Sequence, residues 1–351
     1  MNFLYLFFRN SIIIKFVILL CSVRIIQLCL SCTNEFDHTS SEQPYYYIDD
    51  FEIDAHNQNI VYAVTHWSLY RSTMGGCEWE WIWENCNAVE INNYSPQTIY
   101  ALGSTLFKSS NGGSSWQSLD IPDWGVLLEF NLNSIQTLYV GTSSGLYKSL
   151  DGGNSWTLGI DGQISTICVD HTNDDIVYLI RDESLYKSTD GGSTGLSVEN
   201  GIIGVINTIE MDPTLSQTLY CGTSSGLFKS SDGADSWEAI LSSVSIKSID
   251  IYQENSKILY VSDLNKLHKS IDGGINWKEI EIIPQLSHPR FEIISIKIAP
   301  SNANIIYVIV TGSDSDAIGN ILRSENSGAN WELIGSGLPQ HPEPSTDTSW
   351  N

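Results

Sequence analysis

From residue 45 to about 335 the chain runs in short apolar and polar alternations, each stopped by a cluster of Gly, Ser, Asn or Asp. Alternation with a period of two puts successive side chains on opposite faces, which is the pattern of a β-strand. Val126 to Asn131 reads as one strand, Thr137 to Gly141 as a second, Leu146 to Ser149 as a third, and Trp156 to Leu158 opens a fourth. The connections, Asn131 to Gln136 and Thr142 to Gly145, are too short for anything but antiparallel hairpins.

This unit recurs. A serine-led motif begins at Ser72 (STMGGCEW), Ser109 (SSNGGSSW), Ser149 (SLDGGNSW), Ser188 (STDGGSTG), Ser230 (SSDGADSW), Ser270 (SIDGGINW) and Ser324 (SENSGANW). Successive serines lie 37, 40, 39, 42, 40 and 54 residues apart, about the length of one four-stranded propeller blade. Sheets this small cannot bury their faces alone, so each must pack on the next and the row must close. The fold class expected is all-β, a seven-bladed β-propeller of four-stranded antiparallel blades over residues 45–335. The first unit opens with a first strand and the last ends on a fourth, so closure by face packing is expected.

The motif occupies the turn between third and fourth strands. Its acidic or amide position (Asn111, Asp151, Asp190, Asp232, Asp272, Asn326) is expected to accept backbone N–H groups two or three residues on. The Gly pair supplies positive φ, and the Trp covers the hairpin. Met74 replaces the Asp in blade one, Ala234 the second Gly in blade five and Gly195 the Trp in blade four, so looser outer hairpins are predicted in blades one, four and seven.

Ser-x-Asp-x-Gly-x-Ser/Thr-Trp resembles the Asp-box, or BNR repeat, of sialidases, sortilin-type receptors, xyloglucanases and photosystem II assembly factors. The resemblance covers nearly the whole chain after residue 44. It implies that enzyme sites, where present, lie on the face opposite the motif, in the loops from second to third strand and from fourth strand to the next blade. Sialidase chemistry implies three arginines, a Tyr/Glu pair and an Asp. After residue 44 the chain has only Arg71, Arg181, Arg290 and Arg323. Arg71 and Arg323 fill the slot of Lys108, Lys148, Lys187, Lys229 and Lys269, so they read as structural. An Arg-Ile-Pro motif is missing, and that family has six blades. Xyloglucanase-like hydrolysis implies two carboxylates about 5 to 9.5 Å apart across a cleft, and Asp182, Glu183, Asp263, Asp314 and Asp316 break the repeat on that face. Those enzymes resemble two facing rings, whereas this chain supplies one.

On the same face fall His66, Trp67, Trp124, Arg181, Asp182, His288, Arg290, Asp314 and Asp316, residue types common in binding hot spots. Trp67 and Trp124 are equally well read as packing between blades. The insertion Thr311 to Asn320 lengthens blade seven and is the leading candidate for a functional loop.

First strands line the axis of a propeller, and between their apolar pairs stands an acid in five of seven: Glu52, Glu90, Glu129, Glu210 and Asp250, with Cys168 and Lys297 as exceptions. A ring of carboxylates in a wet channel is expected to show raised pKa values, or to take a hard cation such as Ca²⁺. No other cofactor is indicated. His56 and His171 lie in equivalent turns without ligand spacing.

Composition narrows the partners. Asp and Glu number 41 against 17 Lys and Arg, a formal charge of -24, which argues against nucleic acid and anionic membrane surfaces. Residues 1–32 carry an export-signal pattern: Arg9 and Lys15, the apolar run Phe16 to Val23 broken by Arg24, then Leu30-Ser31-Cys32. Cys32 resembles the lipidated cysteine of a lipobox, although Cys29 stands where Leu is usual; ordinary cleavage nearby is the alternative. Residues 33–44 form a polar linker, and 336–351 a tail expected to be disordered. Cys77 and Cys86 flank a hairpin-like stretch that a disulfide could span, whereas Cys168 and Cys221 read as buried thiols. The expectation is an exported monomer, lipid-anchored in the cell envelope or secreted. Its expected role is non-catalytic binding or assembly with a protein or glycan partner. The alternative is a glycoside hydrolase.

Overall fold

A computed structural model of the protein describes residues 48–65, 67–92, 95, 97–130, 134, 136–282, 291–312, 320–335 and 338. Its strands form seven four-stranded antiparallel sheets, each with its strands in sequence order. The blades span residues 48–84, 88–119, 125–161, 164–197, 206–242, 246–281 and 291–333. In blade three the strands are Gly125–Phe130, Leu138–Thr142, Gly145–Ser149 and Thr157–Asp161.

Burial runs from the inside outward in a way the residue types explain. Second strands such as Leu138–Thr142 and Leu219–Thr223 are buried at every position because a neighbouring blade covers each face. Fourth strands are largely exposed, as in Thr157–Asp161 and Glu238–Ser242. The apolar clusters sit at the seams between blades. Phe51, Ala63 and Tyr70 of blade one pack with Tyr307, Ile309 and Ile321 of blade seven, the rings of Phe51 and Tyr307 lying 5.1 Å apart. Trp79 Nε1 donates to Ile334 O at 3.2 Å across the same seam. The ring therefore closes by face packing, with no strand shared between first and last blades. Leu338 is buried in that cluster, so packing reaches past residue 335; the rest of the tail, residues 1–47 and Cys32 lie outside the described residues.

In all seven motif turns the serine Oγ accepts the backbone N–H four residues on, at 2.8 or 2.9 Å. The Asp or Asn oxygen also reaches four residues on: Ser155 N–H to Asp151 is 2.8 Å and Asn330 N–H to Asn326 is 2.7 Å, while Asp272 accepts in addition the Ile275 N–H, three residues on as expected, at 3.1 Å. Hydrogen bonds from the Ser155, Thr194 and Ser236 side chains and the Asn276 backbone hold Asp151, Asp190, Asp232 and Asp272 down at about 2. Gly152 and Gly153 take φ of +71° and +94°, as the turn requires. The motif Trp also packs at the seam with the preceding blade: Trp237 Nε1 donates to Val198 O of blade four at 2.8 Å, whereas Trp277 Nε1 donates within its own turn, to Gly274 O at 3.1 Å.

The looser hairpins appear in two of the three blades named above. Fourth strands in blades four and seven are two residues long, whereas blade one keeps five. Blade one is compensated by Arg71, whose guanidinium meets Glu80 at 2.8 Å, and by Trp79 in the closing seam.

A second repeated device fastens each blade to the next. A buried Tyr on the second strand lies under the Lys or Arg of the third, with the cation 5.2 to 5.8 Å from the ring centroid in six blades. Tyr178 OH and Lys187 Nζ both donate to Gly233 O of the following blade, at 3.1 and 2.7 Å. Arg71 donates likewise to Gly112 O at 2.7 Å, and Arg323 meets Tyr307 OH at 3.1 Å, so both arginines belong to this scaffold. Tyr178→Phe is expected to cost about 1 kcal/mol in urea unfolding, since one buried hydrogen bond is lost while Lys187 still satisfies the carbonyl; an unchanged midpoint would show the contact to be idle.

Candidate functional site

The loops opposite the motif turns present one aromatic cluster. Trp67, in the turn between second and third strands of blade one, and Trp124, leading into blade three, meet edge to face with centroids 5.6 Å apart. They pack on each other yet remain 52% and 45% exposed, so they are not sealed between blades. Trp67 has a φ of +65°, a conformation that costs an L-residue energy and that clusters at functional turns. Its carbonyl accepts the Cys86 N–H at 3.1 Å, and Asn87 next in line reaches Gly125 O at 3.5 Å. This chain of bonds ties both tryptophans to the first strands of blades two and three. Asp123 beside them accepts Ser144 Oγ at 2.6 Å and the Trp124 N–H at 2.7 Å, and these bonds lower its pKa.

Arg181 and Asp182 stand on the same face but are committed to each other. Arg181 pairs with Asp161 at 3.1 Å and Asp182 at 3.3 Å and lies over Tyr186. Asp182 and Glu183 both have positive φ, +48° and +65°, the signature of a tight hairpin turn made without glycine. His66, His288, Arg290, Asp314 and Asp316 lie outside the described residues, as does most of the blade-seven insertion.

The first strands enclose a channel of about 600 Å³, with Glu52, Glu90, Glu129, Cys168, Glu210, Asp250 and Lys297 at one level. Lys297 Nζ meets Glu52 Oε1 at 2.5 Å. Asp250 accepts the Ile251 N–H at 2.9 Å and also the Ile298 N–H of blade seven. Asp50, one strand position nearer the tryptophan face, joins this group without having been singled out from the sequence. It accepts the N–H groups of Phe51 at 2.9 Å and of Val89, in blade two, at 2.8 Å. Its slot holds Ser248 in blade six, which bonds Ile296 N–H in the same way, so comparing first strands two positions before the ring would have flagged it.

Burial dominates the titration of this level. It raises Asp50 to about 6, Asp250 to about 7, and Glu129 and Glu210 to about 8, with neighbouring carboxylates adding to the shift and Lys297 opposing it. Glu90 is carried well above the ordinary carboxylate range by burial and by Glu52 and Glu129. Burial alone would lower Lys297, but Glu52, Asp50 and Glu90 outweigh it and keep the ammonium charged. Among the described residues, no three His, Cys, Asp or Glu side chains converge closely enough to hold a metal ion.

Because these carboxylates hold their protons more tightly when folded, the native state binds more protons than the unfolded chain between the ordinary carboxylate range and about pH 8. Stability is therefore full near pH 4 and falls as pH rises through that window. Glu129→Gln with Glu210→Gln is expected to raise the melting temperature by a few degrees at pH 8.5 and to leave it unchanged at pH 4. An equal rise at both values would mean that charge is not the cause.

Cys77 is disulfide-bonded, but Cys86 is a free, buried thiol, so the two are not joined and the partner of Cys77 lies outside the described residues. Cys86 sits in the seam between blades one and two, where its side chain fills the core instead. Cys168 and Cys221 are also free thiols; Cys221 is fully buried, while Cys168 is only partly covered and lines the channel.

No family model matches the chain, and no curated protein matches it in sequence. Solved structures do. A GH74 enzyme of Niastella koreensis superposes with a TM-score of 0.68 at 17% identity, covering 84% of this chain and 55% of its own. YCF48 from Cyanidioschyzon merolae gives 0.62 at 13% identity, covering 81% of this chain and 97% of its own; a YCF48 structure bound to D1 peptide gives 0.61. The extracellular domain of the putative hybrid two component system BT3049 from B. thetaiotaomicron gives 0.58 at 16% identity, covering 76% of this chain and 39% of its own. The chain spans about half the length of the GH74 enzyme. At these identities the likeness is one of fold, and the chain is a seven-bladed β-propeller of the architecture these proteins share.

Proposed function

We propose that this propeller is a non-catalytic, exported binding or assembly module that engages a protein partner through the face carrying Trp67 and Trp124. The observation that carries the reading is that solvent-facing aromatic pair, joined edge to face across two blades. Large aromatic side chains left half exposed in a fixed geometry are what binding hot spots are made of. Propellers of this shape include a YCF48 bound to a peptide and an extracellular sensor domain. A hydrolase would need a carboxyl of raised pKa facing a second one across a cleft. The carboxylate beside the tryptophans, Asp123, is shifted the opposite way, and the raised ones lie inside the channel.

The test is capture of a partner from an envelope extract by the immobilised protein, followed by affinity measurement with variants. Trp67→Ala with Trp124→Ala is expected to weaken binding by at least about 30-fold, roughly 2 kcal/mol, without loss of fold. Ile271→Ser with Ile275→Ser, on the opposite face, is expected to leave it intact. The reverse pattern refutes the face assignment, and turnover of sialosides or β-glucans refutes the non-catalytic reading.

A further inference from the structure

The channel does not open evenly toward the tryptophan face. On the side of blades one to three lies a recess of about 210 Å³, walled by Asp49, Asp50, Glu52 and Glu90 together with Asn87 and Val126. Asn87 follows the residue that bonds Trp67, and Val126 stands two residues after Trp124. The aromatic pair is therefore tied to the wall of this acidic recess, Trp67 through its bond to the Cys86 N–H and Trp124 through the chain. The rim residues at the position of Asp49 are Lys247 in blade six and Ile294 in blade seven, so the negative charge is confined to one side of the mouth. Within the recess, Glu52 is the carboxylate neutralised by Lys297.

Building on the binding role assigned above to this face, we propose that the recess receives a lysine or arginine side chain of a basic peptide segment, while the residues flanking that cation lie on Trp67 and Trp124. The charge of the site and of the chain as a whole, -24, favours such a partner and repels an acidic one. A guanidinium or ammonium entering the recess would find three carboxylates beyond the Glu52 pair, in a space too small for a folded domain. Val126, 44% exposed, and the tryptophan faces offer apolar cover for the stem of a long cationic side chain. Proton release follows from the same geometry. A bound cation stabilises the ionised forms of Asp50 and Glu90, so binding should weaken as the pH falls through 6, near the value for Asp50.

The test uses the full chain and two fluorescent dodecapeptides of equal length and apolar content, one carrying five lysines and one five glutamates, titrated by anisotropy at low salt. The basic peptide is expected to bind and the acidic one not to. Asp49→Asn with Glu90→Gln is expected to weaken it at least tenfold, and so is Trp67→Ala with Trp124→Ala. Glu238→Gln with Glu332→Gln, which removes the same number of carboxyls from exposed fourth strands, should have little effect. Equal losses in both charge variants would reduce the binding to general attraction and overturn the proposal. If the captured natural partner depends on the tryptophans but ignores Asp49→Asn with Glu90→Gln, the cation pocket fails while the binding face stands. If it ignores the tryptophans too, both fail.

Discussion

Replacing Lys297 by Met is expected to destabilise the protein by about 3–5 kcal/mol at pH 8, the cost of stripping a buried group of charges of its counterion. For a chain of this size that is a fall of roughly 10 °C in melting temperature. Among the described residues Lys297 is the one cation at its level of the channel, opposing the shifts of Asp50, Glu90, Glu129, Glu210 and Asp250 and bonded directly to Glu52. Without it these groups must hold their protons to still higher pH or carry charge unopposed. The loss should therefore be largest above pH 8, where the native carboxyls are forced to ionise, and small below the ordinary carboxylate range, where they are neutral in both states. Adding Glu52→Gln to Lys297→Met should recover part of the loss, because the carboxylate left nearest the gap is removed. A loss independent of pH would point to packing of the lysine stem instead.

Gly159→Ala is expected to cost about 3 kcal/mol, through backbone collision rather than charge. A Cβ at Gly159 would run into the carbonyl of Gly192, in the motif turn of blade four, and that carbonyl accepts the Ile160 N–H at 3.0 Å. Neither backbone can yield without breaking the seam between blades three and four. This close approach also explains how blade four manages without its tryptophan. A Cβ at Gly195, which stands in the Trp slot, would meet the Ile160 side chain, so blade three supplies the apolar cover that the motif lacks. Thermal unfolding of Gly159→Ala checks this: a fall of roughly 6–12 °C is expected, and an unchanged midpoint would mean the seam is looser than its geometry.

The fold was legible because it is written seven times. The period of the Ser-led motif sets the blade, and the hairpin lengths leave no freedom in strand order. What escaped the sequence is whatever one blade does for its neighbour. Gly159 and Ile160 standing in for a missing Trp, the Tyr–Lys pair reaching the next motif turn, and Asp50 bonding Val89 all pair residues more than thirty positions apart. No local pattern announces such pairs. The motif Asp was placed in the right turn, but outside Asp272 its reach is one residue longer than expected, because an Asx turn inside a hairpin is shorter than the loop that the serine Oγ braces here. Cys77 and Cys86 illustrate the limit of proximity along the chain: eight residues between them suggested a bridge, but Cys86 points into a seam core. On the face opposite the motif turns, departures from the repeat drew attention to Trp67 and Trp124 separately. Their contact, across two blades, is visible only in three dimensions.

Oxidative footprinting of the protein with and without its captured partner tests the binding face most directly. Trp67 and Trp124 are expected to be protected in the complex, while Leu150, Ile271 and Ile275, more exposed on the opposite face, should react as in the free protein. Protection of those three with the tryptophans still reactive would contradict the account.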